Sequence, residues 1–375
     1  MSTFAFGNYK TSLVNNNHIF AIQEALQSGI TTFYTTPHNM GYLAQEALAT
    51  VLQTTDEEVE IALELEFDVK EDNLEQLFEN SLENLQQKKI TTLFLKNPEA
   101  EFWGDLTQED REEKIEEVYK KIIGAFLFFE KEVQQGRIAK YGIASDSFAH
   151  PKDFLFHLPY EDLITMAKNA AIEIGNKEHS LSAIKLPINI VNQEGLECAA
   201  WGKKNNLEVV VSSPLQATTK DGVFRLATYD EPREYYYYLN ELLEICENDT
   251  LEPLYNLIEN LDTKKHKYSW IGEYEVFLTS EVLPYIKQSI EKLEPKIQEE
   301  LLVYIEKFLQ EYKAMVKYEC SLSTRKRLAE YFSNCNATMQ ECAFEFLLAQ
   351  ENVDTIVTSM HKPSYVAEAV ALLNN

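Results

Sequence analysis

Short apolar runs alternate with amphipathic helical patterns along most of this chain. The strand-like runs lie near residues 30–36, 59–65, 90–95, 138–144, 181–188, 207–213 and 353–359. Between them, apolar residues recur at spacings of three and four, as in residues 18–28, 73–88 and 111–135. With the FAF run near Phe4 counted as a strand or lid element, there are about eight strand–helix units. The pattern predicts an α/β fold of the (β/α)8 TIM-barrel type. A doubly wound parallel sheet is the alternative, although no GxGxxG motif follows any of the runs.

The alternation stops between Leu226 and about Asn336, where helical periodicity continues without a convincing strand. The sequence therefore predicts three segments: residues 1–226 with the first seven barrel units, a helical insertion at 227–335, and a closing unit at 336–375. The tyrosine run at 235–238 lies in the insertion. Because a helix buries only part of such a run, it indicates structural packing rather than ligand stacking.

The composition restricts the classes of partner. The 34 Lys and Arg against 61 Asp and Glu give a formal net charge of -27, which repels nucleic-acid phosphates and anionic lipids. The first residues lack the pattern of a signal peptide, and no apolar run has membrane-spanning length. We expect a cytoplasmic protein with no nucleic-acid and no membrane partner.

The cysteines and histidines show no metal-ligand spacing, so no metal site is predicted. An odd number of cysteines also argues against a closed disulfide framework, and buried or idle thiols are expected. Three glycines, Gly29, Gly41 and Gly142, fall at predicted strand and helix ends, where backbone geometry would explain them. The five cysteines are Cys198, Cys246, Cys320, Cys335 and Cys342.

The order of several segments resembles the aldo-keto reductases over nearly the whole chain. Residues 28–41 (SGITTFYTTPHNMG) are similar to the family's GINxxDTAxxYG-like signature, 93–99 (LFLKNPE) to LHNPE, and 136–146 (GRIAKYGIASD) to GKIRxxGxSN. Later similarities lie at 186–191, at 209–217 with 225–226, and at 353–370, where a subgroup has a GMRxPxYV-like ending after a helical insertion. The resemblance implies the same barrel.

The resemblance also implies hydride transfer from NAD(P)H to a carbonyl, with a tyrosine as proton donor and an aspartate, a lysine and a histidine tuning it. It aligns the aspartate with Tyr34, the tyrosine with Asn39 or Met40, the lysine with Glu64 and the histidine with Lys96. Asparagine and methionine carry no usefully acidic proton, and a glutamate raises the pKa of a nearby phenol. We therefore expect the standard reductase mechanism to fail.

Two interpretations of the replaced residues remain open. Tyr34, Glu64 and Lys96 would lie near the carboxyl ends of neighbouring strands, the face where barrel enzymes place their sites. The plainer interpretation is a Glu64–Lys96 ion pair. The alternative is that Lys96 is a partly desolvated amine that binds an anion or forms a Schiff base, with Tyr34 as its acid partner.

The resemblance implies NADP or NAD as cofactor, whose binding we expect to be weak or lost. Ser145 and Asp146 align with a Ser-Asn pair that holds the nicotinamide amide, and Lys185 aligns with a glutamine, near Asn189. Other aligned positions are Ser212, Ser213 and Leu215 along the pyrophosphate, and His361 and Lys362 at the adenosine 2′-phosphate.

Three functions are left open. The first is a barrel without the standard catalytic tetrad, a pseudoenzyme or repurposed protein that binds a small molecule or a protein partner. The second is a non-redox lyase or isomerase that uses Tyr34, Lys96 and Glu64. The third is an NAD(P)H-dependent aldehyde or ketone reductase in which Tyr42 or His38 is a displaced proton donor.

Overall fold

A computed structural model of the chain describes residues 2–37, 42–68 and 73–373. In these residues eight parallel strands close a barrel in the order β1-β10-β7-β6-β5-β4-β3-β2, which confirms the predicted TIM barrel. The strands are β1 (Thr3–Gly7), β2 (Thr32–Thr35), β3 (Glu60–Leu65), β4 (Ile90–Lys96), β5 (Ile138–Ala144), β6 (Leu181–Pro187), β7 (Glu208–Ser212) and β10 (Thr355–Thr358). An antiparallel hairpin of β8 (Gln216–Thr219) and β9 (Gly222–Arg225) follows β7 in the chain.

Helices connect the barrel strands. Two of these helices begin with an asparagine side chain that caps the first turn. Asn15 and Asn73 each accept a backbone N–H of the first turn of their helix. The helices are α1 (Asn16–Gln27), α2 (Leu43–Leu52), α3 (Leu74–Leu85), α4 (Arg111–Gln134), α5 (Leu163–Ile174), α6 (Leu196–Lys204), α7 (Tyr235–Cys246), α8 (Glu252–Lys264), α9 (Ile271–Phe277), α10 (Leu283–Ile290), α11 (Pro295–Arg327), α12 (Met339–Leu348) and α13 (Pro363–Leu373).

One layer of side chains fills the middle of the barrel, with one residue from each strand. Side chains alternate between the two faces of a strand, so residues two positions further on also point inward. On β3, β4 and β6 those next positions, toward the carboxyl ends, hold Glu64, Lys96 and Lys185. The middle layer consists of Ala5, Tyr34, Ala62, Phe94, Ala144, Ala183, Val210 and Val357.

Gly142 makes room for the Phe94 ring of this layer. A Cβ atom at Gly142 would lie 2.7 Å from Cδ1 of Phe94 and 2.9 Å from the carbonyl oxygen of Ala183. Gly142 has no positive φ, so the expected explanation from backbone geometry is wrong there, and packing requires the glycine. At Gly29, with φ of 81°, the expectation is confirmed. Gly41 lies outside the described residues.

The chain divides into two compact units, one of Met1–Pro214 with Phe344–Asn375 and one of Leu215–Ala343. The second unit contains the whole of the segment predicted at 227–335 and also the β8–β9 hairpin, which was not predicted from the sequence. Its core includes Tyr235, Phe308 and Tyr312. Of the tyrosine run, Tyr235 is buried, whereas the next two tyrosines are 51% and 59% exposed.

The cysteines depart from the expectation of idle thiols, because Cys335 and Cys342 form a disulfide. Their Cα atoms are 6.0 Å apart, which is within the usual range for a disulfide. Cys335 precedes α12 and Cys342 lies within it. Cys198, Cys246 and Cys320 are buried thiols, as predicted. Among the described helices, none combines the length and the apolar character that crossing a membrane requires.

Candidate functional site

Three charged side chains project into the barrel just above its apolar middle layer. Glu64 follows Ala62 on β3, Lys185 follows Ala183 on β6, and Lys96 follows Phe94 on β4, each at a spacing of two. All three lie at or near the carboxyl ends of their strands, which is the end where barrel enzymes carry their sites.

Glu64 and Lys185 form a buried salt bridge across the barrel. Their side chains are only 2% and 6% exposed, and Lys185 Nζ donates to Glu64 Oε1. Tyr9, from the segment after β1, completes the cluster: its hydroxyl donates to Glu64 Oε1 at 2.9 Å and accepts from Lys185 Nζ at 2.8 Å. A phenol, an amine and a carboxylate are therefore bound to one another inside the barrel.

The predicted Glu64–Lys96 ion pair is wrong. Lys96 Nζ instead lies 3.0 Å from Glu66 Oε2. The register of β3 and β4 explains why Lys96 pairs with Glu66. Leu65 on β3 is the partner of Leu95 on β4, so the residues that follow them, Glu66 and Lys96, lie side by side. Glu64 lies two residues before Glu66 and points into the barrel. There it meets the side chain of Lys185, which comes from β6 on another side of the barrel. The Lys96 side chain remains 27% exposed.

The two lysines consequently differ in acidity. Burial lowers the pKa of Lys185 even though the charge and hydrogen bond of Glu64 oppose the shift. Burial acts in the same direction on Lys96, but the hydrogen bond and charge of Glu66 outweigh it and raise the pKa. Burial and then Glu64 raise the pKa of Tyr9. Of the two amines, Lys185 is the better source of a neutral nucleophile.

Tyr34 belongs to the middle layer and packs beneath Lys185. Lys185 Nζ lies 5.0 Å from the centroid of the Tyr34 ring. The centroids of the Tyr34 and Phe94 rings are 5.7 Å apart. Burial raises the pKa of Tyr34, with further increases from Glu208 and Glu64. Tyr34 thus contacts Lys185, and its partnership with Lys96 stays a prediction.

The segment after β5 presents Ser145 and Asp146 near these charges. Ser145 Oγ donates to Glu99 Oε1 at 2.6 Å, and the backbone N–H of Ser147 donates to Ser145 Oγ at 3.1 Å. Burial raises the pKa of both Glu99 and Asp146, and the charge of Lys96 opposes the shift at Asp146. The hydroxyl group of Ser145 is thus engaged with a buried carboxyl group.

The remaining predicted cofactor positions lie at the end of β7 and in the segments that follow β6, β7 and β10. Ser212 ends β7, and Ser213 has a φ of 54°, in the left-handed region. Leu215 is buried in the second unit. The His361 ring lies 5.8 Å from that of His18 and 5.3 Å from that of Tyr365. Lys362 Nζ lies 5.6 Å from the centroid of the same tyrosine ring, and Asn189 closes a buried turn by accepting from the N–H groups of Val191 and Asn192.

Several candidates cannot be placed, because His38, Asn39 and Met40 lie outside the described residues. Tyr42 is the residue before the first turn of α2, and its hydroxyl accepts a 3.4 Å hydrogen bond from Asn80. Tyr9 was not predicted from the sequence. The signal was the strand period: Ala5 faces the barrel interior, and Tyr9 lies an even number of residues beyond it.

Metal coordination has no support in the described residues, which contain no group of three or more His, Cys, Asp or Glu side chains with suitable proximity. The described side chains that meet in the barrel are instead an amine, a phenol and a carboxylate, with Ser145 and Glu99 in a separate hydrogen bond.

A sequence model of the Aldo/keto reductase family matches residues 3–375. No curated protein matches the chain. Among solved structures, an aldo/keto reductase from Klebsiella pneumoniae in complex with NADP and acetate is 11% identical, with 100% of this chain and 86% of that chain covered and a TM-score of 0.48. One from Brucella melitensis is 13% identical, with coverages of 64% and 74% and a TM-score of 0.39. The family assignment rests on the sequence model, since both scores are below 0.5.

Proposed function

The chain belongs to the aldo/keto reductase family, and from that premise we propose that it binds a small molecule in its barrel without the family's standard hydride-transfer mechanism. The observation that carries the proposal is the Tyr9–Glu64–Lys185 cluster. The phenolic proton of Tyr9 is donated to Glu64, at 2.9 Å, and is therefore not offered to a carbonyl substrate beside a cofactor.

The described residues fit a nicotinamide poorly. Lys185 occupies the position aligned with a glutamine, and an ammonium group next to the cationic ring of an oxidised nicotinamide is unfavourable. Ser145, aligned with a residue that holds the nicotinamide amide, donates its hydroxyl to Glu99 instead. These features support weak or absent binding of NADP and NAD, so no step of the proposed function passes through a dinucleotide.

A second candidate is an NAD(P)H-dependent reductase in which Tyr9 is the displaced proton donor, in place of Tyr42 or His38. The 2.8 Å contact between Lys185 Nζ and the Tyr9 hydroxyl favours it, because an ammonium group stabilises the phenolate that remains after proton donation. Glu64 works in the opposite direction and raises the pKa of Tyr9.

A titration of the full chain with NADPH and NADH, followed by fluorescence and calorimetry, separates these two functions. We expect no binding at micromolar cofactor and no aldehyde-dependent oxidation of NADPH. Micromolar binding together with aldehyde reduction would refute the proposal.

Variants then identify the donor if turnover is found. Under the second candidate, Tyr9→Phe lowers kcat by about 100-fold or more, the usual contribution of a general acid. Tyr42→Phe is the matched control, since its hydroxyl makes only a 3.4 Å bond with Asn80. If both variants retain the wild-type kcat, Tyr9 is not the donor.

A further inference from the structure

The Tyr9–Glu64–Lys185 cluster contains the groups that a lysine needs to form an imine. We propose that Lys185 condenses with a small uncharged aldehyde or ketone to give a protonated imine, with Glu64 and Tyr9 moving the protons. The proposal rests on the proposed function in one respect, namely that the barrel interior receives a small molecule and not a nicotinamide.

Geometry selects Lys185 over Lys96, the lysine for which a Schiff base was the alternative interpretation of the sequence. The Lys96 side chain is 27% exposed and pairs with the Glu66 carboxylate, whereas the Lys185 side chain is 6% exposed and contacts both a carboxylate and a phenol. Burial, which lowers the pKa of Lys185, adds to this preference because the neutral amine is the nucleophile.

The reaction balances without a further reagent. The ammonium group of Lys185 passes a proton to Glu64, and the free amine attacks the carbonyl carbon. Because the protonated Glu64 no longer accepts the phenolic proton, Tyr9 gives that proton to the developing alkoxide and regains one from the nitrogen. Glu64 then returns its proton to the hydroxyl group, which leaves as water. A C=N bond replaces the C=O bond, nothing is oxidised or reduced, and Glu64 and Tyr9 end as they began.

Local charge indicates which carbonyl compounds fit. Glu64, Glu66 and Asp146 outnumber Lys96 and Lys185 around the cluster, and the whole chain carries a formal net charge of -27. An added carboxylate on the ligand would be repelled, so an uncharged aldehyde or ketone is favoured over a keto acid. Tyr9 is the least buried member of the cluster, so the ligand approaches from its side.

Reductive trapping tests the proposal. The full-length protein is incubated at neutral pH with propanal and cyanoborohydride, which reduces imines, and sampled while labelling is still sparse. Peptide mass spectrometry then ranks the lysines by the rate at which they gain a propyl group. We expect Lys185 to be labelled before Lys96 and before Lys121, a second buried lysine that pairs with Glu101 at 2.7 Å and for which the described residues give no phenol partner. In urea this preference should disappear.

Variants test the assigned roles. Glu64→Gln should slow labelling at Lys185 by about 100-fold, and Tyr9→Phe should slow it less, while labelling at Lys121 is unchanged. Circular dichroism checks that each variant is folded. If Glu64→Gln does not fold, the ranking in the wild-type protein decides.

Labelling of Lys185 no faster than that of Lys121 would overturn the inference. Because trapping is done without nicotinamide, the two proposals fail separately. Micromolar NADPH binding together with aldehyde reduction refutes the proposed function, whereas the labelling rate of Lys185 relative to Lys121 decides imine formation.

Discussion

At the scale of single residues, the arrangement of the barrel interior depends on which charged side chains pair with one another. Glu64 and Lys185 are 121 positions apart in sequence, and both are almost fully buried. Taking one partner away leaves the other as an uncompensated charge in a medium of low dielectric constant, which costs far more than the loss of an exposed pair.

We predict strong coupling between these two residues. Glu64→Gln and Lys185→Met should each lower the free energy of unfolding by about 3–5 kcal/mol, and the double variant by clearly less than the sum. Urea denaturation of the four proteins measures the coupling. The matched pair Glu66→Gln and Lys96→Gln, whose side chains are 36% and 27% exposed, should cost about 1 kcal/mol or less. Additive effects at Glu64 and Lys185 would contradict the buried bridge.

At the scale of elements, neighbouring strands fit one another through complementary side-chain volumes. Phe94 on β4 occupies the space that a side chain at Gly142 on β5 would need, and the two residues are register partners. Such a fit leaves no space for an added methyl group unless the ring moves.

Gly142→Ala should therefore destabilise the protein by about 1–3 kcal/mol in thermal or urea denaturation. Adding Phe94→Leu should recover part of the loss because the smaller side chain gives way. The control is Gly124→Ala within α4, where an added Cβ meets nothing within 4 Å and the greater helix propensity of alanine should stabilise the protein. A neutral Gly142→Ala variant would show that this layer is loosely packed.

The segment after β5 makes a pH-dependent contribution to the free energy of unfolding. His157 is 3% exposed, and its Nδ1 lies 2.8 Å from the carbonyl oxygen of His150. Burial lowers the pKa of His157. The unfolded chain therefore takes up a proton near pH ~6.5, while the folded chain does so only at lower pH. The stability from this group is complete above that pH and is lost as pH falls toward the lowered folded value.

His157→Asn should accordingly flatten the dependence of unfolding free energy on pH below about 6.5, by at most ~1.4 kcal/mol per pH unit. Urea denaturation of both proteins at a series of pH values provides the comparison. Parallel curves for the two proteins would mean that His157 titrates alike in the folded and unfolded states.

At the scale of the whole molecule, the chain builds two separate cores. The barrel unit is organised around the layer of one residue per strand, whereas the second unit packs helices around aromatic side chains such as Tyr235, Phe308 and Tyr312. The ring of Phe308 lies 5.7 Å from that of Tyr312 and is almost completely buried.

Phe308→Ala should lower the free energy of unfolding of the second unit by about 3–5 kcal/mol, the usual loss when a buried phenylalanine is truncated. Hydrogen exchange followed by mass spectrometry should show faster exchange in residues 215–343 and unchanged protection in the barrel strands. Phe129→Ala, a fully buried residue of α4 in the other unit, is the reciprocal control. Equal acceleration in both units after Phe308→Ala would mean that the two cores unfold as one.

The sequence by itself determined the barrel, most of its strand bounds and the position of Glu64 and Lys96 near the carboxyl ends of their strands, because these follow from local periodicity. It could not determine which charged side chains would pair. Glu64 and Lys185 lie on strands that are not neighbours, and only closure of the barrel brings their side chains together. Closure of the barrel also brings Tyr9 into contact with Glu64 and Lys185, while Lys96 pairs with Glu66. The Cys335–Cys342 bond and the need for Gly142 were likewise decided by tertiary structure, because each depends on distances between atoms that periodicity does not encode.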